Sequence, residues 1–164
     1  MQSKTALCHF FLQGMLFGWA TDGEHSRLIV SQSPDFPGHK LIHYEDGDLV
    51  LIDAYCIGMN GRSAGTTTIL DRGIPVWHMN YHGWYNDEVI DPLKRVLSST
   101  YAKGIFVGGR GEDQLTQGND GALYRYSNTV RKRDFFDFAG IEIMTSRDDA
   151  LMMGYHEYSG IALF

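Results

Sequence analysis

His78, His82, Glu142 and His156 are the side chains in this sequence best suited to moving a proton or holding a ligand, and all lie in runs that alternate as strands do. Successive side chains on a strand point to opposite faces. Trp77, Met79 and Tyr81 therefore share one face, with His78, Asn80, His82 and Trp84 on the other. In a later run the same alternation groups Leu151, Met153 and Tyr155 against Met152, Gly154, His156 and Tyr158. Both apolar trios are expected to pack beneath helices. Correct pairing would bring Glu142 near His156, so that His82, Trp84, Glu142, His156 and Tyr158 line one concave face. Aromatic walls with a few polar groups are what small-molecule pockets usually contain. The plainer reading is a half-exposed sheet surface that carries His, Asn and Tyr because it meets water.

Other chemistries find less support. His78 and His82 are four residues apart, which on a strand separates them by about 13 Å, too far for two ligands on one ion. No metal site and no cofactor follow from the sequence. Cys8 falls in a helical run, where a buried thiol is inert. Cys56 has no activating neighbours, and Ser98-Ser99 lacks the glycine-flanked elbow of a nucleophile. Gly108-Gly109-Arg110-Gly111 could cradle an anion between backbone amides and a guanidinium, although a flexible surface loop is the simpler expectation. Arg110 is thus the cation for an anionic ligand. The basic run Val130-Arg131-Lys132-Arg133-Asp134 reads as a solvated hairpin tip.

Composition sets the outer bounds. The chain has 164 residues, 43% of them hydrophobic, enough for one well-buried core and little for two. A net charge of −6 argues against broad attraction to nucleic acid or acidic membranes. Two widely spaced cysteines make no disulfide framework and suit a reducing cytoplasm. The apolar stretch from Ala6 to Ala20 is too short and too interrupted to span a bilayer.

The elements that must position these residues follow from periodicity and punctuation. Leu7, Phe10, Phe11, Gly14 and Met15 recur at helical spacing behind Ser3, predicting a capped helix over 4–17. Arg27 to Ser31 is a short β-rich run, and Leu49-Val50-Leu51-Ile52 is apolar on both faces. Thr66–Leu70 and Val76–His82 read as a hairpin across Asp71-Arg72-Gly73. A second helix runs from an Asp91 cap and Pro92 to Lys103-Gly104, and Leu93, Val96, Leu97, Thr100 and Tyr101 share its apolar face. Residues 104–121 read as a long glycine-rich loop, followed by strands near 122–129, 135–145 and 149–157 and an apolar piece at 161–164. Helix then four strands, twice, without a βαβ rhythm, predicts an α+β fold in which an antiparallel sheet packs against two helices.

The chain also repeats itself. Ala64-Gly65-Thr66-Thr67-Thr68-Ile69 is echoed 75 residues on, from 64 to 139, by Ala139-Gly140-Ile141-Glu142-Ile143-Met144. Val76 to His82 is echoed 74 residues on, from 76 to 150, by Ala150 to His156. This predicts one domain, 1–164, built of two pseudo-repeats at about 1–84 and 85–164.

Tyr55, Ala64-Gly65, Pro75-Val76-Trp77-x-Met79-Asn80-Tyr81-x-Gly83, Arg110-Gly111-Glu112, Phe138-x-Gly140-x-Glu142 and Tyr155-His156 together resemble a bacterial domain of unknown function. That domain occurs alone or behind the helix-turn-helix of XRE-type transcriptional regulators. Its signature pairs an aromatic-x-Gly-x-Glu-x-aliphatic strand with a Trp-x-Met-x-Tyr strand, in two copies. The first copy departs from it, with Thr67 at the Glu position and Ser63 at the aromatic one. The residues read here include no helix-turn-helix ahead of the domain, so the resemblance carries no expectation of DNA binding. The resulting expectation is a cytoplasmic, non-catalytic module that binds, senses or sequesters a small molecule, such as an anionic nucleotide, through His82, Trp84, Arg110, Glu142, His156 and Tyr158. A small hydrolase or isomerase using Glu142 and His156 is the alternative. An interaction domain with Trp84 and Tyr85 as anchors is the third, and a homo-oligomer is compatible with any of them.

Overall fold

The computed structural model describes residues 2–20 and 37–164. Two helices lie on one face of a single eight-stranded antiparallel sheet. In chain order these are α1 (Lys4–Phe17), β1 (His39–Asp46), β2 (Leu49–Ile57), β3 (Arg62–Asp71), β4 (Ile74–Tyr85), α2 (Ile90–Ala102), β5 (Gln114–Gln117), β6 (Leu123–Asp134), β7 (Asp137–Ser146) and β8 (Met152–Ala162). Across the sheet the order is β1-β2-β3-β4-β8-β7-β6-β5, so the last strand of each run of four meets its counterpart at the centre. There Tyr81 stands opposite Tyr158. The expected α+β architecture is present. The β-rich run at 27–31 lies outside the described residues.

Local chemistry explains the boundaries. Ser3 Oγ accepts from the Ala6 amide at 3.2 Å, capping α1 as its position suggests. The β3–β4 hairpin turns on Arg72 and Gly73, both with positive φ (50° and 78°), the conformation that matches the twist of paired strands. At α2 the start differs from expectation. A one-turn 3₁₀ segment at Asp87–Val89 leads into Ile90, and Asp91 lies inside the first turn rather than capping it. The Asp91 carboxylate instead accepts from Asn119 Nδ2 at 2.8 Å. The basic run is not a hairpin tip either. Val130 to Asp134 completes β6, and the turn falls at Phe135-Phe136, where Phe135 is buried.

The core lies between the helices and the inner face of the sheet. Phe11 of α1 packs against Trp77, Tyr101, Phe106 and Phe135. Trp77 stacks on Phe135 and Phe138 and donates its indole N–H to the Phe135 carbonyl at 2.8 Å. Leu93, Val96, Leu97 and Tyr101 of α2 are buried as their spacing predicts. Among the described residues, no helix is long and apolar enough to cross a membrane.

Candidate functional site

The six residues singled out from the sequence divide between the two faces of the sheet. His82 and Trp84 occupy the outer face, where His82 is 3.9 Å from Glu157 and Trp84 packs edge-on against Tyr155. Glu142, His156 and Tyr158 are buried on the inner face, beneath the helices. Met153 is buried as expected, but beyond it the expected grouping on β8 is reversed: Tyr155 is half-buried, and His156 and Tyr158 point into the core. The cause is a bulge. Met144 pairs with Gly154 but Thr145 pairs with Met152, which leaves Met153 as an extra residue and flips the alternation after it.

Arg110 is the second correction. It does not wave on a loop; it is 4% exposed. Gly108 and Gly109 adopt positive φ (63° and 73°), and Val107 bridges back to Arg110, so the chain makes a tight turn that drives the guanidinium inward. Bulk is excluded there as well, because a Cβ at Gly108 would lie 2.6 Å from the Tyr158 ring.

Inside, Arg110 Nη2 donates to Glu142 Oε1 and lies 3.3 Å from His156 Nδ1. Glu142, fully buried, also accepts from the hydroxyls of Tyr85 (2.8 Å) and Tyr126. Burial opposes the Glu142 carboxylate, but the Arg110 guanidinium outweighs it and holds the carboxyl below its usual range. Burial likewise opposes the Arg110 charge, and Glu142 overrides it. Tyr158 lies one pair of residues along β8 from His156 and donates to Asn128. Arg110, Glu142 and His156 thus form one cluster, with Tyr158 at its margin.

This cluster closes one side of a cavity of about 560 Å³ between the helices and strands β1 to β4. Met15 and Trp19 wall it at the end of α1, and Ile90, Lys94, Leu97 and Tyr101 wall it from α2. The sheet supplies Lys40, Ile42, Asp53, Tyr55, Ser63, Tyr81 and Tyr85, and Arg110 and His156 complete the lining. Asp53, 3% exposed, accepts from Thr67 (2.8 Å) and Tyr81 (3.0 Å) through the same oxygen, Oδ1. Its pKa is raised by burial, which those two hydroxyls and Arg110 only partly offset. Burial, aided by Asp53, pushes Tyr55 up to about 12. Among the described residues no group of three or more His, Cys, Asp or Glu could hold a metal ion.

Ser63 brings a nucleophile to the same place. Its Oγ is 2.9 Å from His156 Nε2, and His156 Nδ1 is 3.7 Å from Glu142 Oε1. Serine, histidine and carboxylate in that order is the arrangement of a nucleophilic triad. The protonation is wrong for one. A guanidinium only donates, so Nδ1 facing Arg110 must carry the lone pair, and Nε2 carries the hydrogen and donates to Ser63. Burial, followed by the Arg110 charge, lowers the His156 pKa to about 3. An imidazole in that tautomer and at that pKa takes no proton from a serine.

Asp53, Ser63, Tyr55, Tyr81 and Tyr101 are absent from the residues selected from the sequence, and Tyr85, expected there as an interface anchor, is buried against the cavity. Asp53 carried a usable signal, as a carboxylate directly after the apolar run Leu49–Ile52. Ser63 had none. No family model matches the chain, and no match was found among the curated proteins or the solved structures compared with it.

Proposed function

We propose that the protein is a non-catalytic small-molecule-binding module, a sensor or sequestering domain of the cytoplasm, which holds its ligand in the inner-face cavity. The reading rests on one observation: buried, ordered polar groups line a cavity of about 560 Å³ whose other walls are largely aromatic and aliphatic. That size and composition suit a compact organic ligand. The outer-face pair His82 and Trp84 leaves the proposed site, and Arg110, His156 and Asp53 form its polar floor with Glu142 behind them. A free Arg110 was the reason to expect an anion. With the guanidinium spent on Glu142, that reason weakens. A sensing role also fits the resemblance to domains that accompany XRE-type regulators, with the ligand as input.

The two helix-plus-four-strand runs are part of the same proposal, as copies of one ancestral unit. Tyr81 covers Gly65 and donates to Asp53, while Tyr158 covers Gly140 and donates to Asn128.

The test is native mass spectrometry of protein purified from cells, followed by thermal-shift screening against metabolites. A retained small molecule, or a saturable rise in melting temperature lost on replacing Leu97 by Trp to fill the cavity, is the expected result. No retained mass and no stabilising compound would refute it. The hydrolase alternative rests on the Ser63–His156 contact. It predicts stoichiometric labelling of Ser63 by a fluorophosphonate, lost in Ser63→Ala; with His156 Nε2 donating to Ser63, no labelling is expected.

A further inference from the structure

Two polar groups on the cavity floor are left incomplete by the described residues. Asp53 Oδ1 takes both hydroxyl donors, and Oδ2 has no hydrogen-bond partner among the described residues. Arg110 uses Nη2 alone, its Nε is buried without a partner, and Nη1 makes no bond among the described residues. An unsatisfied buried polar atom costs about 1–3 kcal/mol, so folded proteins leave few of them. Among the described residues only Arg110 Nε is a fully buried side-chain atom without a partner; Asp53 Oδ2 and Arg110 Nη1 are unbonded there as well, and both residues line the same cavity.

Tyr81 links them. Its hydroxyl reaches Asp53 at 3.0 Å, and its ring lies 5.6 Å from the Arg110 guanidinium carbon. The free acceptor is thus held at the hydroxyl end of the ring whose centroid the Arg110 guanidinium approaches. Tyr85 and Tyr101 spend their hydroxyls on Glu142 and on the Gly109 carbonyl, so they offer the cavity only rings. Trp19 and Tyr55 add two more aromatic side chains to the lining.

Resting on the binding role proposed above, we infer that the cavity takes a flat nitrogen heterocycle whose edge carries an N–H donor beside a carbonyl or ring-nitrogen acceptor, the donor meeting Asp53 Oδ2 and the acceptor meeting Arg110. Purine and pterin lactam edges have this chemistry. A simple ammonium ion would satisfy Asp53 and leave the remaining N–H groups of Arg110 without an acceptor. A carboxylate or phosphate would do the reverse, and would sit against Asp53. Only a ligand with both groups completes the floor, while its ring stacks on the aromatic walls as unpaired bases do in protein pockets. A cavity of about 560 Å³ admits a two-ring system with a substituent.

The inference is tested by calorimetry on the whole chain with guanosine, guanosine monophosphate and pterin, set against benzylamine, benzoate and pyrophosphate. Expected is one-to-one binding of at least one heterocycle, weakened tenfold or more by Asp53→Asn and by N1-methylation of the guanine ring. The three heterocycles separate nucleoside, nucleotide and pterin sources. If Asp53→Asn fails to fold by circular dichroism, the methylation arm decides alone. Binding of the amine or the anions but of no heterocycle overturns this inference and leaves the binding role standing. Heterocycle binding untouched by methylation, and by Asp53→Asn where that variant folds, also overturns it. Silence from every probe, with no small molecule retained from cells, removes both.

Discussion

Replacing Glu142 by Gln keeps the shape of the side chain and removes its charge. The carboxylate is fully buried and receives the Arg110 guanidinium and two tyrosine hydroxyls. Three donors converge on it, and a glutamine amide presents one acceptor and a nitrogen that clashes with at least one of them. The larger effect is on Arg110, 4% exposed, which would keep a full charge with no counter-charge beside it. Breaking one side of a buried pair costs about 3–5 kcal/mol. For a domain of this size each kcal/mol moves the melting temperature by about 2–4 °C, so Glu142→Gln should melt roughly 6–20 °C below the parent. Scanning calorimetry measures this directly. A double-mutant cycle with Arg110→Met adds the decisive control. Once both charges are gone, neither is stranded, and the pair of substitutions should cost less than the sum of the singles by at least about 1 kcal/mol. A Glu142→Gln melting point within 2 °C of the parent, or strict additivity in the cycle, would refute the reasoning.

His156 supplies a pH prediction. Its folded pKa of about 3 lies below the ordinary 6.5, so the unfolded chain takes up a proton that the fold refuses. Its cost to stability is absent above about pH 6.5 and grows by about 1.4 kcal/mol per unit as pH falls toward 3. Between pH 7 and pH 5 urea denaturation should show a loss of about 2 kcal/mol that His156→Gln lacks; equal slopes for the two proteins would contradict a buried neutral imidazole. Gly65→Ala would place a methyl 2.5 Å from the Tyr81 hydroxyl end and 2.7 Å from Tyr55 Cβ. That crowding should cost about 1–3 kcal/mol in chemical denaturation and weaken any ligand of the cavity, since both tyrosines line it. Removing the Trp77 indole N–H in Trp77→Phe strands the buried Phe135 carbonyl, and a loss of about 1–3 kcal/mol with altered core fluorescence is expected.

Helix α1, its Ser3 cap, the Arg72-Gly73 hairpin and the buried face of Trp77, Met79 and Tyr81 were legible in the sequence. Each depends on neighbours a few residues apart: helical spacing, one capping hydroxyl, two left-handed turn positions, and strict alternation along one strand. Glu142 beside His156 was also legible, because the repeated strand pattern implied their pairing, and the two residues stand opposite each other. The face they occupy was not. One bulged residue, Met153, reverses every side chain beyond it, and nothing in the local run Leu151-Met152-Met153-Gly154 announces that extra residue.

Arg110 and Asp53 show the same division. A glycine-rich stretch specifies only that the chain can turn; whether the turn faces water or the core depends on what packs against it, here Tyr158 over Gly108 and Phe11 with Met79 over Gly109. Asp53 gains its meaning from Thr67 and Tyr81, which come from two other strands. The sequence by itself determined both helices, the runs that became β2 to β4 and β6 to β8, and the antiparallel class, because hydrophobic period and turn chemistry act over a few residues; β1 escaped it, and β5 lies in the stretch 104–121 that reads as a loop. Only the tertiary structure decided which face holds the polar cluster and where the cavity lies. Strand register, and the partner that neutralises a buried charge, are set by contacts between residues far apart in the chain.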